Sequence, residues 1–188
     1  MSSSIPTRGN NNYFRILEKH LESGVYDVAA CGKNAPTVEE VDLFAKQCAV
    51  KLPVDFVDFS VSRLGGLYVA VKEKLWPRNR EFDVGPFWTF LYGLYVYGFA
   101  KDIPEFMDIR IQTAKFRESS GTKLLPCLKL VGDANVYGFD AGGSVNRWDH
   151  ETGEINSVGK TFVEILDYEL EQLADRKKRK MQERAAPR

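Results

Sequence analysis

The sequence has few of the residues that build metal sites and disulfide frameworks. It contains two histidines and three cysteines in 188 residues. Cys31, Cys48 and Cys127 are widely spaced and form no CxxC pair, which excludes a zinc ribbon and a thioredoxin-type motif. An odd number of distant cysteines is typical of free thiols in a reducing compartment, so the expected location is the cytosol.

Long apolar runs are also missing. The opening residues, MSSSIPTRGNNNYF, lack the apolar segment of a signal peptide. The most apolar stretch, VGPFWTFLYGLYVYGFA at 84–100, is shorter than the ~20 residues of a membrane-spanning helix and contains three glycines and a proline. We therefore expect no contact with a membrane and assign this stretch to the protein core.

Net charge is absent from the chain as a whole, but it is unevenly distributed. The 26 basic residues balance 26 acidic ones, yet residues 176–188 carry seven basic and one acidic side chain, so residues 1–175 have a net charge of −6. A mildly acidic body argues against nucleic-acid binding and suits a basic protein partner. The basic run is either a nucleic-acid or targeting segment or a frayed helix end. The lack of interleaved aromatic residues favours the helix end.

The apolar residues that are present suffice for one domain. Hydrophobic residues make up 44% of the chain and aromatic residues 12%, and 188 residues are a usual domain length. We interpret residues 1–188 as a single domain with a frayed segment at 1–12 and a basic tail at 176–188.

Three amphipathic helices are predicted in the first third of the chain. Asn12 can cap a helix in YFRILEKHLESG. Thr37 and Glu40 have the spacing of a capping box at the start of TVEEVDLFAKQCAV. Pro53 suits the first turn of a third helix, VDFVDFSVSRLGG, which Gly65 and Gly66 would end.

Alternation with period two follows from residue 67 onward. LYVAVKE, CLKLV, NVYGFD and SVNRWDH are predicted strands. In 87–99 the aromatic residues alternate on both sides of Gly93, and the alternation changes parity there. This pattern favours two β-segments joined by a bend at Gly93, and a helix is the alternative. IPEFMDI is expected to form one helical turn, whereas RIQTAKFRE is ambiguous. A last helix begins near Thr161. This order predicts an α+β fold, with an antiparallel or mixed sheet packed against N-terminal helices and a closing C-terminal helix.

The densest group of chemically active side chains lies in NRWDHETGEI at 146–155. On a strand, Asp149 and Glu151 share one face while His150 points to the other. The stretch is a metal or catalytic site, a polar strand end followed by a turn, or the rim of a partner interface; Thr152 and Gly153 favour the turn. GEINSVGKT lacks the spacing of a phosphate-binding loop, and DANVYGFDAGG places Tyr137 at a calcium-ligand position. We expect no enzyme activity, no catalytic residue, no metal and no cofactor.

The order of several motifs resembles the SUKH superfamily. TVEEVDLFAKQCAVKLPVDFVDFSVSRLGG at 37–66 has its amphipathic helix, Leu-Pro step, aromatic helix and Gly-Gly turn. Leu125-Pro126, the Gly-Asp turn at 132–133, VYGFD and VNRWDH match its second half, so the resemblance covers about residues 37–173. Leu64 departs from the usual asparagine, and the segment 68–116 is unusually long. The motif residues with an expected structural role are Leu52, Pro53, Phe56, Gly65, Gly66, Phe139 and Trp148.

This resemblance implies an α+β domain that binds other proteins and is not an enzyme. Bacterial members are chiefly immunity proteins that bind a cognate polymorphic or contact-dependent toxin, and a eukaryotic branch related to a yeast cell-wall synthesis regulator acts as a signalling scaffold. The expected partner is a basic toxin such as a nuclease. Binding to nucleic acid or to a membrane is not expected. A regulatory scaffold and a metal-dependent hydrolase centred on residues 149–154 are the alternatives. The candidate partner-binding residues are Tyr92, Tyr95, Tyr97, Asp133, Asp149 and Glu151.

Overall fold

One antiparallel sheet forms the centre of the molecule. A computed structural model describes residues 12–30, 32–79 and 85–185, and the strands in these ranges pair in chain order from first to last. Each strand is therefore hydrogen-bonded to its neighbours in sequence. The strands are β1 (Tyr26–Ala30), β2 (Leu67–Val71), β3 (Gly93–Val96), β4 (Leu125–Leu130), β5 (Val136–Phe139), β6 (Val145–Trp148) and β7 (Ile155–Ser157).

Helices precede, interrupt and close this sheet. The helices are α1 (Asn12–His20), α2 (Val38–Gln47), α3 (Val54–Ser60), α4 (Ile109–Ser120) and α5 (Phe162–Ala185), with 3-10 turns at Gly32–Asn34, Phe87–Phe90 and Glu105–Met107. The predicted α+β class, with N-terminal helices and a closing C-terminal helix on a sheet, is confirmed. No helix in the described ranges is both long enough and apolar enough to cross a membrane.

The two faces of the sheet have different coverings. On the inner face, which carries Leu94, Leu128 and Phe139, the main core lies under α1, α3 and α5. The ring centroids of Phe56 on α3 and Phe139 are 4.9 Å apart, and Phe162 on α5 contacts Phe56 at 5.0 Å. These three rings are at most 1% exposed. The outer face is covered in part by α4.

Two reciprocal capping boxes set the starts of α2 and α5. The Thr37 hydroxyl accepts the Glu40 N–H at 3.2 Å, while the Glu40 carboxylate accepts the Thr37 N–H at 2.8 Å. Thr161 and Glu164 repeat the arrangement at 3.3 and 2.8 Å. Each box satisfies backbone donors that the first helical turn leaves free, so these helix starts follow directly from local sequence.

Contrary to the sequence prediction, the Gly65–Gly66 pair does not end a helix. Helix α3 already ends at Ser60, and Gly65 and Gly66 lead into β2. Gly66 has φ +94°, and a Cβ on Gly98 would lie 2.5 Å from the Gly66 nitrogen. Gly66 is thus required by its positive φ and Gly98 by its close approach to the Gly66 backbone. Gly65 is required because a Cβ there would lie 2.2 Å from the Ser60 carbonyl oxygen.

The aromatic stretch before β3 was only partly predicted. The β interpretation is correct for 93–96 and wrong for 87–90, which forms a 3-10 turn because the Thr89 N–H donates to the Pro86 carbonyl at 2.9 Å. The ambiguous RIQTAKFRE belongs to α4. Asp108 caps this helix, and Gly121 ends it in the left-handed region at φ +70°.

The predicted basic tail is part of the last helix. Helix α5 continues to Ala185, so the run at 176–185 is neither frayed nor separate. Lys177 is 6% exposed, and the Arg179 guanidinium lies 4.2 Å from the Trp88 ring centroid. The cations pack their stems on the protein, which holds the helix in place. Most of the predicted frayed segment 1–12, together with Cys31 and residues 186–188, lies outside the described residues.

Candidate protein-binding surface

A groove of about 440 Å³ lies on the outer face of the sheet beside α4. Lys129, Val136 and Trp148 supply its sheet side from β4, β5 and β6, and Phe116 faces them from α4. Strand register explains the sheet side, since Val136 is directly opposite Trp148 and side chains opposite each other project to the same face. We refer to this site as the outer groove.

Aromatic contacts shape the outer groove. The rings of Phe116 and Trp148 meet edge to face with centroids 5.2 Å apart, and His150 follows at 5.7 Å from Trp148. His150 lies in the turn just after β6, where its ring stays next to that of Trp148. Trp148 is half-buried and packs against the main core, and its ring also lines the outer groove.

Two polar groups of the outer groove lack partners within the described residues. Lys129 is half-buried and forms no hydrogen bond or ion pair there, and its burial lowers the pKa of the ammonium group. The indole N–H of Trp148 is covered and has no acceptor. An unsatisfied buried donor costs a folded protein about 1–3 kcal/mol. Of the two groups, the Trp148 indole carries this cost, because it is fully covered, whereas Lys129 is half-buried.

The groove is cationic, and an acidic turn lies next to it. The described residues that line the groove include Lys115, Lys129 and His150 and no carboxylate. Lys115 also forms an ion pair with Glu105 at 2.5 Å. The β6–β7 turn that follows Trp148 carries exposed acids at 151 and 154. The acidic character predicted for the partner-binding surface is therefore confined to this turn.

The interpretation of HETGE as a hairpin turn is confirmed. One carboxylate oxygen of Asp149 accepts the N–H groups of Glu151 and Thr152 at 2.9 and 3.0 Å. These bonds, first that from the Thr152 N–H, hold the pKa of Asp149 below its usual value. Gly153 completes the turn at φ +73°. Asp149 is thus occupied by the turn, while Glu151 points into solvent.

The described residues contain no group of three or more His, Cys, Asp and Glu side chains placed to hold a metal ion. The backbone N–H of His150 donates to the Asn135 side chain at 2.7 Å, which fixes the position of this residue in the turn. The described cysteines are equally unsuited to nucleophilic chemistry. Burial raises the pKa of the Cys48 and Cys127 thiols, which is opposite to the shift that activates a thiolate.

The predicted partner-binding residues do not form one surface. Tyr97 is 4% exposed at the bottom of the outer groove, and Asp133 is 6% exposed and paired with Arg147 at 3.2 Å. Both side chains are nearly fully buried, so they offer little surface for the predicted partner contact.

The two remaining tyrosines, Tyr92 and Tyr95, contact different aromatic or cationic neighbours. Tyr95 is half-buried on the outer face, where its ring meets that of Phe106 at 5.5 Å. Tyr92 lies elsewhere, beneath the Arg78 guanidinium at 3.7 Å. Of the predicted set, Tyr95, Asp149 and Glu151 are thus the members that stay on the outer face or at the adjacent turn.

Phe116 and Lys129 were not identified from the sequence. Phe116 falls in the segment whose helical or extended state was ambiguous, and Lys129 lies in an otherwise apolar strand. The lysine within CLKLV was a usable signal, because a charge at one position of a buried strand often marks a special environment. The packing of α4 on the sheet could not be inferred from either segment.

A larger hollow of about 610 Å³ lies where α3 and α5 begin. Its acidic groups are already used within the chain: Asp55 accepts the Phe56 N–H at 2.8 Å, and Glu164 belongs to the capping box of α5. Burial raises the pKa of Asp55. Since its polar groups have partners, this hollow is a weaker candidate than the outer groove.

Comparison with protein-family models gives no matching family, and comparison with curated proteins gives no matching protein. The resemblance to the SUKH superfamily therefore stays a prediction from the order of motifs in the sequence.

Proposed function

We propose that this chain is a non-catalytic protein-binding domain of the SUKH type, acting in the cytosol as an immunity protein that binds and neutralises a cognate toxin. The outer groove carries the proposal, because it combines aromatic walls with a half-buried lysine that forms no hydrogen bond or ion pair in the described residues. Aromatic side chains in a pocket are the usual anchors of protein interfaces. The α+β fold, in the element order of the resemblance, is compatible with it.

The outer groove and the acidic turn divide the contact between them. A partner side chain inserted between Phe116 and Trp148 would bury apolar surface at both rings, and a partner oxygen would satisfy Lys129. Exposed Glu151 and Glu154 would pair with basic residues around the inserted side chain. Basic residues of the toxin would thus contact the acidic turn, and a hydrogen-bond acceptor of the toxin would enter the outer groove. Neutralisation then requires only that the bound domain covers the toxin's active site.

Co-expression with the toxin encoded beside its gene tests the proposal. We expect the host cell to survive and the two proteins to elute together in gel filtration. Continued killing without a complex would refute the proposed function. A stable complex with a host signalling protein, without any protection, would indicate the regulatory scaffold instead.

Filling the outer groove tests whether it is the contact site. Ser119 lines the groove and is exposed, so Ser119→Trp occupies the space without removing a core side chain. We expect toxin affinity to fall by a factor of about ten or more, which corresponds to a loss of about 1.4 kcal/mol in binding free energy. The matched control is Glu118→Trp, which adds the same ring at the neighbouring exposed position outside the groove. Equal affinities for the two variants would place the contact elsewhere.

A further inference from the structure

The edge of the sheet formed by β1 is unpaired on its outer side within the described residues. The strand order ends at β1, which bonds only to β2. The Lys72 N–H donates to the Val25 carbonyl at 2.9 Å, so these residues form a hydrogen-bonded pair just before the strand. Because such pairs alternate along antiparallel strands, every second residue of β1 directs its N–H and C=O groups away from the sheet. The outward set is Tyr26, Val28 and Ala30.

The side chains of β1 leave this edge accessible. Residues 27–30 are all exposed, and the Val28 side chain is 50% exposed. The strand sequence YDVAA contains no proline and a single charge, that of Asp27, and its pairing with β2 runs over five residues without a bulge. Charges, prolines and bulges are the usual protections of an edge strand against pairing. The opposite edge, β7, has three residues and offers a shorter template.

The sequence of β1 is complementary to itself in antiparallel orientation. Pairing about Val28 places Val28 opposite its own copy, Tyr26 opposite Ala30 and Asp27 opposite Ala29. All the outward backbone groups then meet partners, since each hydrogen-bonded pair exchanges two bonds. The Asp27 carboxylates do not face each other, which avoids the repulsion of directly opposed like charges.

We propose that β1 pairs with β1 of a second copy about a two-fold axis at Val28, forming a homodimer whose sheet runs through both copies. The same surface patch serves both subunits, as a closed two-fold interface requires. A single strand pair buries little area, so we expect a weak dimer with a dissociation constant on the order of 10 μM. This proposal does not depend on the toxin-binding proposal.

Sedimentation equilibrium of the purified chain from about 1 to about 200 μM, a range suited to a small interface, tests the dimer. The average mass should rise from 21.3 kDa towards twice that value. Val28→Pro removes an outward N–H that no described residue of the chain accepts, and should weaken dimerisation by at least about tenfold. Val28→Thr keeps the N–H and the branched side chain, and should change the dissociation constant by less than about twofold.

Circular dichroism checks that each variant is folded. If Val28→Pro does not fold, Val28→Lys replaces it, because this variant places two positive charges opposite each other at the two-fold axis. A mass of 21.3 kDa at every concentration would overturn the proposal. A dimer that both Val28→Pro and Val28→Lys leave unchanged would overturn it too, because another surface would then be responsible. A monomer whose toxin binding is lost on Val28→Pro would also overturn it, by showing that a strand of the partner occupies β1.

Discussion

At the scale of single residues, Glu169 lies in an environment that disfavours its charge. It is 4% exposed on α5 and accepts the Tyr137 hydroxyl at 2.7 Å beneath the sheet. The positive charges of Arg176 and Arg147 favour its ionised form, but burial outweighs them and raises the pKa of its carboxyl group. Burial also lowers the pKa of Arg176. The cluster therefore fixes α5 against β5 at some cost in free energy.

Glu169→Gln is expected to change the pH dependence of stability. Because the folded-state pKa of Glu169 is raised above its ordinary 4.5, the folded state holds this proton more strongly than the unfolded state. The wild type therefore loses stability as pH rises from 4.5 through the raised pKa. Glutamine keeps an acceptor for Tyr137 and does not titrate. The unfolding free energy of the wild type minus that of the variant should fall over this interval, as measured by urea denaturation from about pH 4 to about pH 8.

A second variant on the same helix serves as the control. Glu171→Gln makes the same substitution at an exposed position, and so separates the effect of burial from the loss of one charge. The prediction for Glu169 would be contradicted if the difference in unfolding free energy from the wild type changed with pH equally in the two variants.

At the scale of elements, α5 extends farther than its apolar pattern. Its last turns are held by cations instead of apolar side chains. Arg176 donates to the Leu91 carbonyl at 3.2 Å, and Arg184 donates to the carbonyls of Lys74 and Leu75 at 3.0 Å. Arginine presents several donors and a flat surface, so it can continue a helix–protein contact where hydrophobic residues have ended.

A chain that ends at residue 178 should be less stable by about 2 kcal/mol. It loses the contact of Arg179 with Trp88 and the carbonyl contacts of Arg184. A cation over an aromatic ring contributes about 0.5–1 kcal/mol at an exposed site, and a hydrogen bond contributes about 0.5–1.5 kcal/mol. Urea denaturation followed by tryptophan fluorescence measures the loss. The control chain ends at residue 185 and keeps these contacts. Identical midpoints for the two chains would show that the last turns add nothing.

At the scale of the whole molecule, burial decreases from the middle of the sheet to its edges. Strands β3 and β4 lie under the main core and have neighbours on both sides. The residues of β7 are all exposed and pair on one side. Local opening is easiest where few apolar contacts cover the backbone hydrogen bonds. The acidic turn before β7 and the edge of β1 lie in these weaker regions, whereas the outer groove lies on β4, β5 and β6.

Hydrogen exchange should therefore report a gradient across the sheet. The amides of Leu94, Val96 and Leu128 should be the slowest in the sheet, with opening free energies near that of global unfolding. The bonded amide of Asn156 in β7 should exchange through local opening that costs at least about 4 kcal/mol less. Native-state exchange measured by NMR on the Val28→Lys variant excludes any contribution from the proposed dimer. Equal protection of β4 and β7 would show that the sheet opens as one unit.

Local sequence signals determined most of the elements. Thr37 with Glu40 and the proline at 53 fixed helix starts through hydrogen bonds and dihedral angles within one turn. The strands that become β4, β5 and β6 were visible as short alternating runs between turn residues. The two edge strands were not visible, because mostly exposed residues carry no apolar alternation.

The sequence by itself thus determined the fold class, the turn after Trp148 and the caps of α2 and α5, since each depends on contacts within a few residues. Only the tertiary structure decided that Asp133 and Tyr97 are buried, that Phe116 faces Trp148, and that the basic run packs as helix. These outcomes depend on which distant segments meet across the sheet. Local patterns do not specify such contacts, because many partners can bury the same apolar surface equally well.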